Sequence, residues 1–177
     1  MIKPLTSYRD EELINAIISN TLTVKVGDAV SFVNTSGVSC VTNATNKTSG
    51  AYRPFGVVVG FATNSGGVYP TQGQDTSVYP SQIITTATNT TSELYNAVIL
   101  PFREGMFFEI DADDTLGHTT LSDQKGVYFN LVDCRTIDES SVIASDDGSA
   151  PLQIFSLGPI FKSTTKVIGH FEKRRIQ

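Results

Sequence analysis

Between Leu22 and Phe61 the apolar side chains fall on every second position or in short unbroken runs between glycines. That spacing leaves little room for anything but β-strands. Leu22, Val24 and Val26 alternate with Thr23 and Lys25, and Gly27-Asp28 supplies turn chemistry before Ala29 to Val33, so the two runs read as a hairpin. A brief strand is expected around Val38 to Thr42. Gly56 and Gly60 then bracket Val57-Val58-Val59, a strand apolar on both faces and therefore expected to be buried on both. The pattern resumes at Tyr95 to Phe102 and at Met106 to Ile110, with further strands at Val127 to Leu131, Val142 to Ala144, Leu152 to Leu157 and Thr165 to Phe171. Composition agrees: 21 Thr, no Trp and 18% charged residues suit a pleated, half-buried surface. The expected fold is mainly β, an antiparallel barrel or sandwich of about ten short strands.

One segment carries a different period. Ser7 is a candidate cap, Asp10, Glu11 and Glu12 place negative charge on a helix N-terminus, and Leu13, Ile14, Ile17 and Ile18 share one helical face. This predicts a short N-terminal α-helix over about 8–19, or an arm whose apolar stripe waits for a partner. The organisation read from the chain is thus an N-terminal arm or helix over 1–21 and a single β domain over 22–177, the latter containing a long polar insert at 62–92. That insert has no Lys or Arg and contains Val68-Tyr69-Pro70 and Val78-Tyr79-Pro80, ten positions apart. A loop of such length inside a compact domain either binds something or is partly structured.

Charge and motif content narrow the function. A net charge of −5 and an acidic isoelectric point argue against nucleic acid as a partner, since neutralising phosphates requires surplus Lys and Arg. No apolar run approaches the roughly 20 residues of a membrane span, and the N-terminus turns acidic where a secretion signal would place its apolar stretch. Cys40 and Cys134 lack a C-x-x-C spacing and read as two buried thiols. His118 and His170 fall in no metal-ligand spacing, and no nucleophile elbow, P-loop or dinucleotide-binding glycine motif occurs, so no catalytic residue, metal site or cofactor is assigned. Asp111-Ala112-Asp113-Asp114-Thr115-Leu116-Gly117, with Glu109 just ahead of it, has alternate carboxylates that resemble the start of a calcium loop. Leu116 and Ser122, however, stand where an EF-hand needs Gly and Glu, leaving a solvated acidic loop or a cation site of another geometry. Four Asn-x-Ser/Thr triplets, at Asn34, Asn43, Asn46 and Asn89, mark turns. Residues 101–150 carry 3 basic and 11 acidic side chains, and residues 151–177 carry 5 basic and 1 acidic. That opposition favours pairing between subunits, or it is two solvated faces.

The run Thr23 to Val30 followed by Pro54 to Phe61, with the later Val98-Ile99-Leu100-Pro101 and Gly126-Val127-Tyr128-Phe129, resembles the small decoration (cement) proteins of tailed bacteriophage capsids. The resemblance is clearest over 22–61. It implies a β-rich, non-catalytic structural protein of the virion, made in the host cytoplasm. Such a protein clamps the outer capsid surface as a homo-oligomer, commonly a homotrimer, with the major capsid protein as its partner. The contact residues proposed on that basis are Leu13, Ile14, Ile17, Ile18, Tyr69, Tyr79, Lys173, Arg174 and Arg175, because apolar, aromatic and Arg side chains are the usual interface anchors. A phage tail or head-fibre component is the nearest alternative. A carbohydrate-binding β module or adhesin, and an enzyme built on the acidic cluster with His118, are the readings from other classes.

Overall fold

The computed structural model describes residues 1–19, 22–35, 38–44, 54–63, 83–85, 95–115, 128–129, 131–138, 140, 152–157 and 165–171. Among these residues the chain forms β1 (Ile2–Pro4), a 3₁₀ turn (Asp10–Glu12), β2 (Ile14–Ile18), β3 (Thr23–Lys25), β4 (Ala29–Thr35), β5 (Val38–Asn43) and β6 (Gly56–Thr63). It continues through β7 (Ile83–Thr85), β8 (Tyr95–Pro101), β9 (Phe108–Ala112), β10 (Tyr128–Phe129), β11 (Thr136–Ile137), β12 (Leu152–Leu157) and β13 (Lys166–Phe171). The expected mainly β architecture is present, as two main bodies and a separate two-stranded β3–β7 ribbon. One is a closed barrel of order β2-β5-β4-β6-β8; the other is a sheet of order β1-β9-β13-β12-β10 in which β11 also pairs with β9. Most ladders are antiparallel, but β2–β5 and β11–β9 are parallel.

The barrel is a detour between two neighbouring strands of the sheet. β1 leads out of the sheet, residues 14–101 supply the barrel strands, and β9 returns to pair antiparallel with β1, Ile2 opposite Ile110. The neck where the chain leaves and returns is closed by an ion pair between Glu12 and Arg103, 2.8 Å. Above it Phe102 stacks on Phe171, with centroids 3.7 Å apart, and meets Phe108 edge-on at 5.1 Å.

Strand periodicity divides the side chains between two cores. Val30, Val58 and Ile99 point into the barrel with Ile18, Val24, Val41 and Phe61. Their neighbours Ala29, Val57 and Leu100 point outward onto the sheet, against Ile110, Phe129, Val167 and Phe171. This is why 57–59 and 97–100 read as unbroken apolar runs: both faces of these strands are buried. A bulge between Val58 and Gly60 shifts the β6–β8 register by one, and so turns Phe61 inward to fill the barrel.

The N-terminal helix is not formed. Asp10–Glu12 make a single 3₁₀ turn in which Glu12 accepts a hydrogen bond from the Arg9 N–H at 2.8 Å, and the chain then extends as β2. The acidic residues do cap a turn. Beyond it, Ile14, Ile17 and Ile18 are β-branched and poor helix formers. As a strand, β2 fills the last place in the barrel wall, between β5 and β8. The expected hairpin is also corrected. β3 pairs with β7 from the polar insert, while β4 pairs with β5 and β6. Gly27 sends its N–H to Val58 O at 2.8 Å, so the turn steers the chain into the barrel rather than back along β3.

Candidate functional site

The two segments that carry the family resemblance meet at one place. Asp28 N–H donates to Lys25 O at 3.1 Å and the Asp28 carboxylate accepts from Lys25 N–H at 2.8 Å, which closes the turn between β3 and β4. Gly27 takes φ +87°, a conformation that favours glycine, and a Cβ there would collide with Met1 Cγ. Val58 N–H donates to Asp28 O, Phe55 N–H to Val30 O, and Ile2 N–H to Gly27 O, at 2.9, 2.7 and 3.0 Å. Barrel, sheet edge and turn are therefore fastened together around Val26–Ala29.

A knuckle at residues 131–137 packs onto the same turn. Asp133 Oδ1 accepts from Arg135 N–H, Thr136 N–H and Thr136 Oγ1, at 2.6, 2.8 and 2.9 Å, so one carboxylate folds the knuckle on itself. It presents the Cys134 carbonyl to Ala29 N–H at 2.6 Å and the Arg135 guanidinium to Val26 O at 3.1 Å. Arg135 Nε lies 2.7 Å from Asp28 Oδ1. The approach is off-axis, and neither atom completes an aligned hydrogen bond. Asp28 is 2% exposed, and that burial raises its carboxyl pKa above the ordinary 3.8 despite the Lys25 N–H bond and the Arg135 charge. Burial, with Asp28 and Asp133 nearby, pushes the Cys134 thiol up to about 12, so at neutral pH it is protonated and a poor nucleophile. Cys40 and Cys134 are both buried, and neither is joined in a disulfide.

Two carboxylates of the acidic cluster are engaged by the protein's own cations. Lys166 Nζ on β13 bridges Asp111 at 2.7 Å and Glu109 at 3.1 Å, because Lys166 stands opposite Asp111 in the ladder and Glu109 lies two residues along the same face. The α-amino group of Met1 reaches Asp111 Oδ2 at 2.6 Å. Asp114 accepts from Thr115 N–H at 2.6 Å. Among the described residues no group of three or more His, Cys, Asp or Glu side chains is arranged to hold a metal ion.

The proposed contact residues on β2 are not one surface. Ile18 is fully buried inside the barrel, Leu13 packs against the core between barrel and sheet, Ile17 is half-buried, and Ile14 is exposed. The structure brings none of them together as the helical stripe did, since a strand sends Ile17 and Ile18 to opposite faces. Tyr69, Tyr79, Lys173, Arg174, Arg175 and His118 lie outside the described residues. Sequence reading placed Asp28 in a turn but missed its burial, and it missed Asp133 and Arg135. The available signal was Asp133 three positions before Ile137's neighbour Thr136, a spacing at which an Asp side chain caps following amides. Compared with known proteins, the chain matches no family model, no curated protein and no solved structure.

Proposed function

We propose that this chain is a structural, non-enzymatic protein of a phage particle, a decoration protein that binds the outside of the assembled capsid as a homo-oligomer, with a trimer favoured. The observation that carries this reading is the joining of the two resembling segments, Thr23 to Val30 and Pro54 to Phe61. They form one hydrogen-bonded unit, with Ala29 opposite Val57 and Gly27 bonded to Val58. A barrel without edges and a sheet packed on it give the stiff body such a role requires. The outward side of β1 offers no N–H to a further strand: Ile2 N–H goes to Gly27 O, and Pro4 has none. Adhesion through that edge would therefore run through side chains rather than strand addition, with weak contacts multiplied over a repeating lattice.

Mixing the purified chain with undecorated heads and imaging them tests the reading, alongside the mass of the unbound protein. Lattice-wide density and an oligomeric mass are expected. Density confined to a vertex or tail would transfer the proposal to a tail or head-fibre component. No association with any particle would overturn both.

A further inference from the structure

The knuckle at 131–137 holds its own shape, yet it meets the barrel through a small polar contact. Inside it, Asp133 Oδ1 takes three hydrogen bonds and Val132 N–H donates to Thr136 O at 3.0 Å. Its far end is sewn into the sheet: Thr136 and Ile137 pair with Asp111 and Ala112, and Asp113 N–H donates to Ile137 O at 3.0 Å. Leu131 and Ile137 anchor it in the core, while the intervening Val132 is 51% exposed. Toward the barrel, Cys134 and Arg135 contact Val26, Asp28 and Ala29. The bonds that shape the knuckle and tie it to the sheet are thus distinct from those that join its tip to the turn.

We propose that the Cys134-Arg135 tip is a latch on the barrel, loaded by the buried Asp28 carboxylate and held shut by the Arg135 guanidinium. A buried carboxylate is costly to hold, and removing its counterion leaves the charge uncompensated, whereas neutralising both partners does not. The groups facing Asp28 are Lys25, through its N–H and its charge, and Arg135, Asp133 and the Cys134 thiol. Of the two cations, Arg135 sits within 2.7 Å and is itself part of the latch. The latch is thus asymmetric. Loss of Arg135 opens it, and loss of the Asp28 charge leaves it at least as tight, because burial already disfavours that charge. Anything that draws the Arg135 guanidinium away would act as loss of Arg135 does, and would uncover Cys134.

Site-resolved alkylation of Cys134 and Cys40 in the folded chain, followed by mass spectrometry, reads the latch directly. Arg135→Gln is expected to raise the Cys134 rate by ~10-fold or more while Cys40 keeps its rate. Asp28→Asn keeps the Cys134 rate at or below that of the unaltered chain, and the double variant returns to the Asp28→Asn rate. An Arg135→Gln rate less than ~10-fold above that of the unaltered chain, equal acceleration of both thiols, or acceleration by Asp28→Asn overturns the proposal. Should Arg135→Gln not fold, amide exchange in the unaltered protein decides. The Ala29 N–H, bonded to Cys134 O, must then exchange ~10-fold faster than the Val58 N–H, bonded to Asp28 O, and a smaller ratio counts against the latch.

Discussion

At the scale of single residues, the glycines separate three different physical demands. A Cβ on Gly56 would sit 2.5 Å from Leu100 O and 2.6 Å from Ile99 Cγ2, backbone and core atoms that cannot move aside. Gly56→Ala is expected to cost about 1–3 kcal/mol through overpacking. Gly105 has open space but φ +81°, so Gly105→Ala costs about 1 kcal/mol from backbone strain alone. At Gly60 the nearest atom is Val98 Cβ at 3.9 Å, and Gly60→Ala is expected to be neutral or to stabilise by up to about 1 kcal/mol. Denaturant midpoints of the three variants check the order. Titration adds a second expectation. Burial alone would raise Asp111, but its bonds from Lys166 and the Met1 ammonium outweigh this and hold it below the ordinary 3.8. The stability it contributes is complete above 3.8 and is lost as pH falls through its folded value. Lys166 is held above 10.5 chiefly by the Asp111 hydrogen bond, so its contribution is complete below 10.5 and is lost as pH rises through its folded value. Asp28 acts in the opposite sense to Asp111, because its raised pKa makes stability fall as pH rises from 3.8 through its folded value. Stability measured against pH should therefore show shallower acid and alkaline limbs in Lys166→Met, and a steeper rise with pH just above 3.8 in Asp28→Asn.

At the scale of elements, β2 shows where sequence pattern and fold part company. Ile18 fills the barrel interior and Ile14 stands exposed. Ile18→Ala should cost about 2–5 kcal/mol in thermal or chemical unfolding. Ile14→Lys, at an exposed position, should leave the unfolding free energy within about 0.5 kcal/mol of that of the unaltered chain. The strands were legible because they combine alternation with glycine boundaries: β4, β5, β8, β12 and β13 lie where the pattern puts them, within two residues at the ends, while β6 runs through Gly60 to Thr63. The helix was misread because Leu13, Ile14, Ile17 and Ile18 satisfy a helical stripe and a strand equally over so short a run. The ladder to Ile99, Val98, Ala97 and Asn96 decides between them, and no local window contains it. The pairing of β3 with β7 was hidden for the same reason, since its partner Ile83–Thr85 sits inside a run chosen for its polarity. Of the junction around Asp28, the turn chemistry was visible. Its burial and its counterion were not, because Arg135 lies 107 positions away.

At the scale of the whole molecule, the barrel and the sheet have no strand in common but pack through one core, so a lesion in one is felt in the other. Ala29, Val57 and Leu100 belong to barrel strands yet help to build the core beneath the sheet. The placing of the barrel between β1 and β9 also bears on kinetics. Those two strands pair across more than a hundred intervening residues, a closure that is entropically unfavourable until something shortens the gap. A barrel that forms first brings its two ends to the Glu12–Arg103 neck, and the distant strands then meet as if joined by a short loop. A Glu12→Gln change that opens this neck should then slow refolding of the sheet more than that of the barrel, which stopped-flow refolding with probes in each body would read.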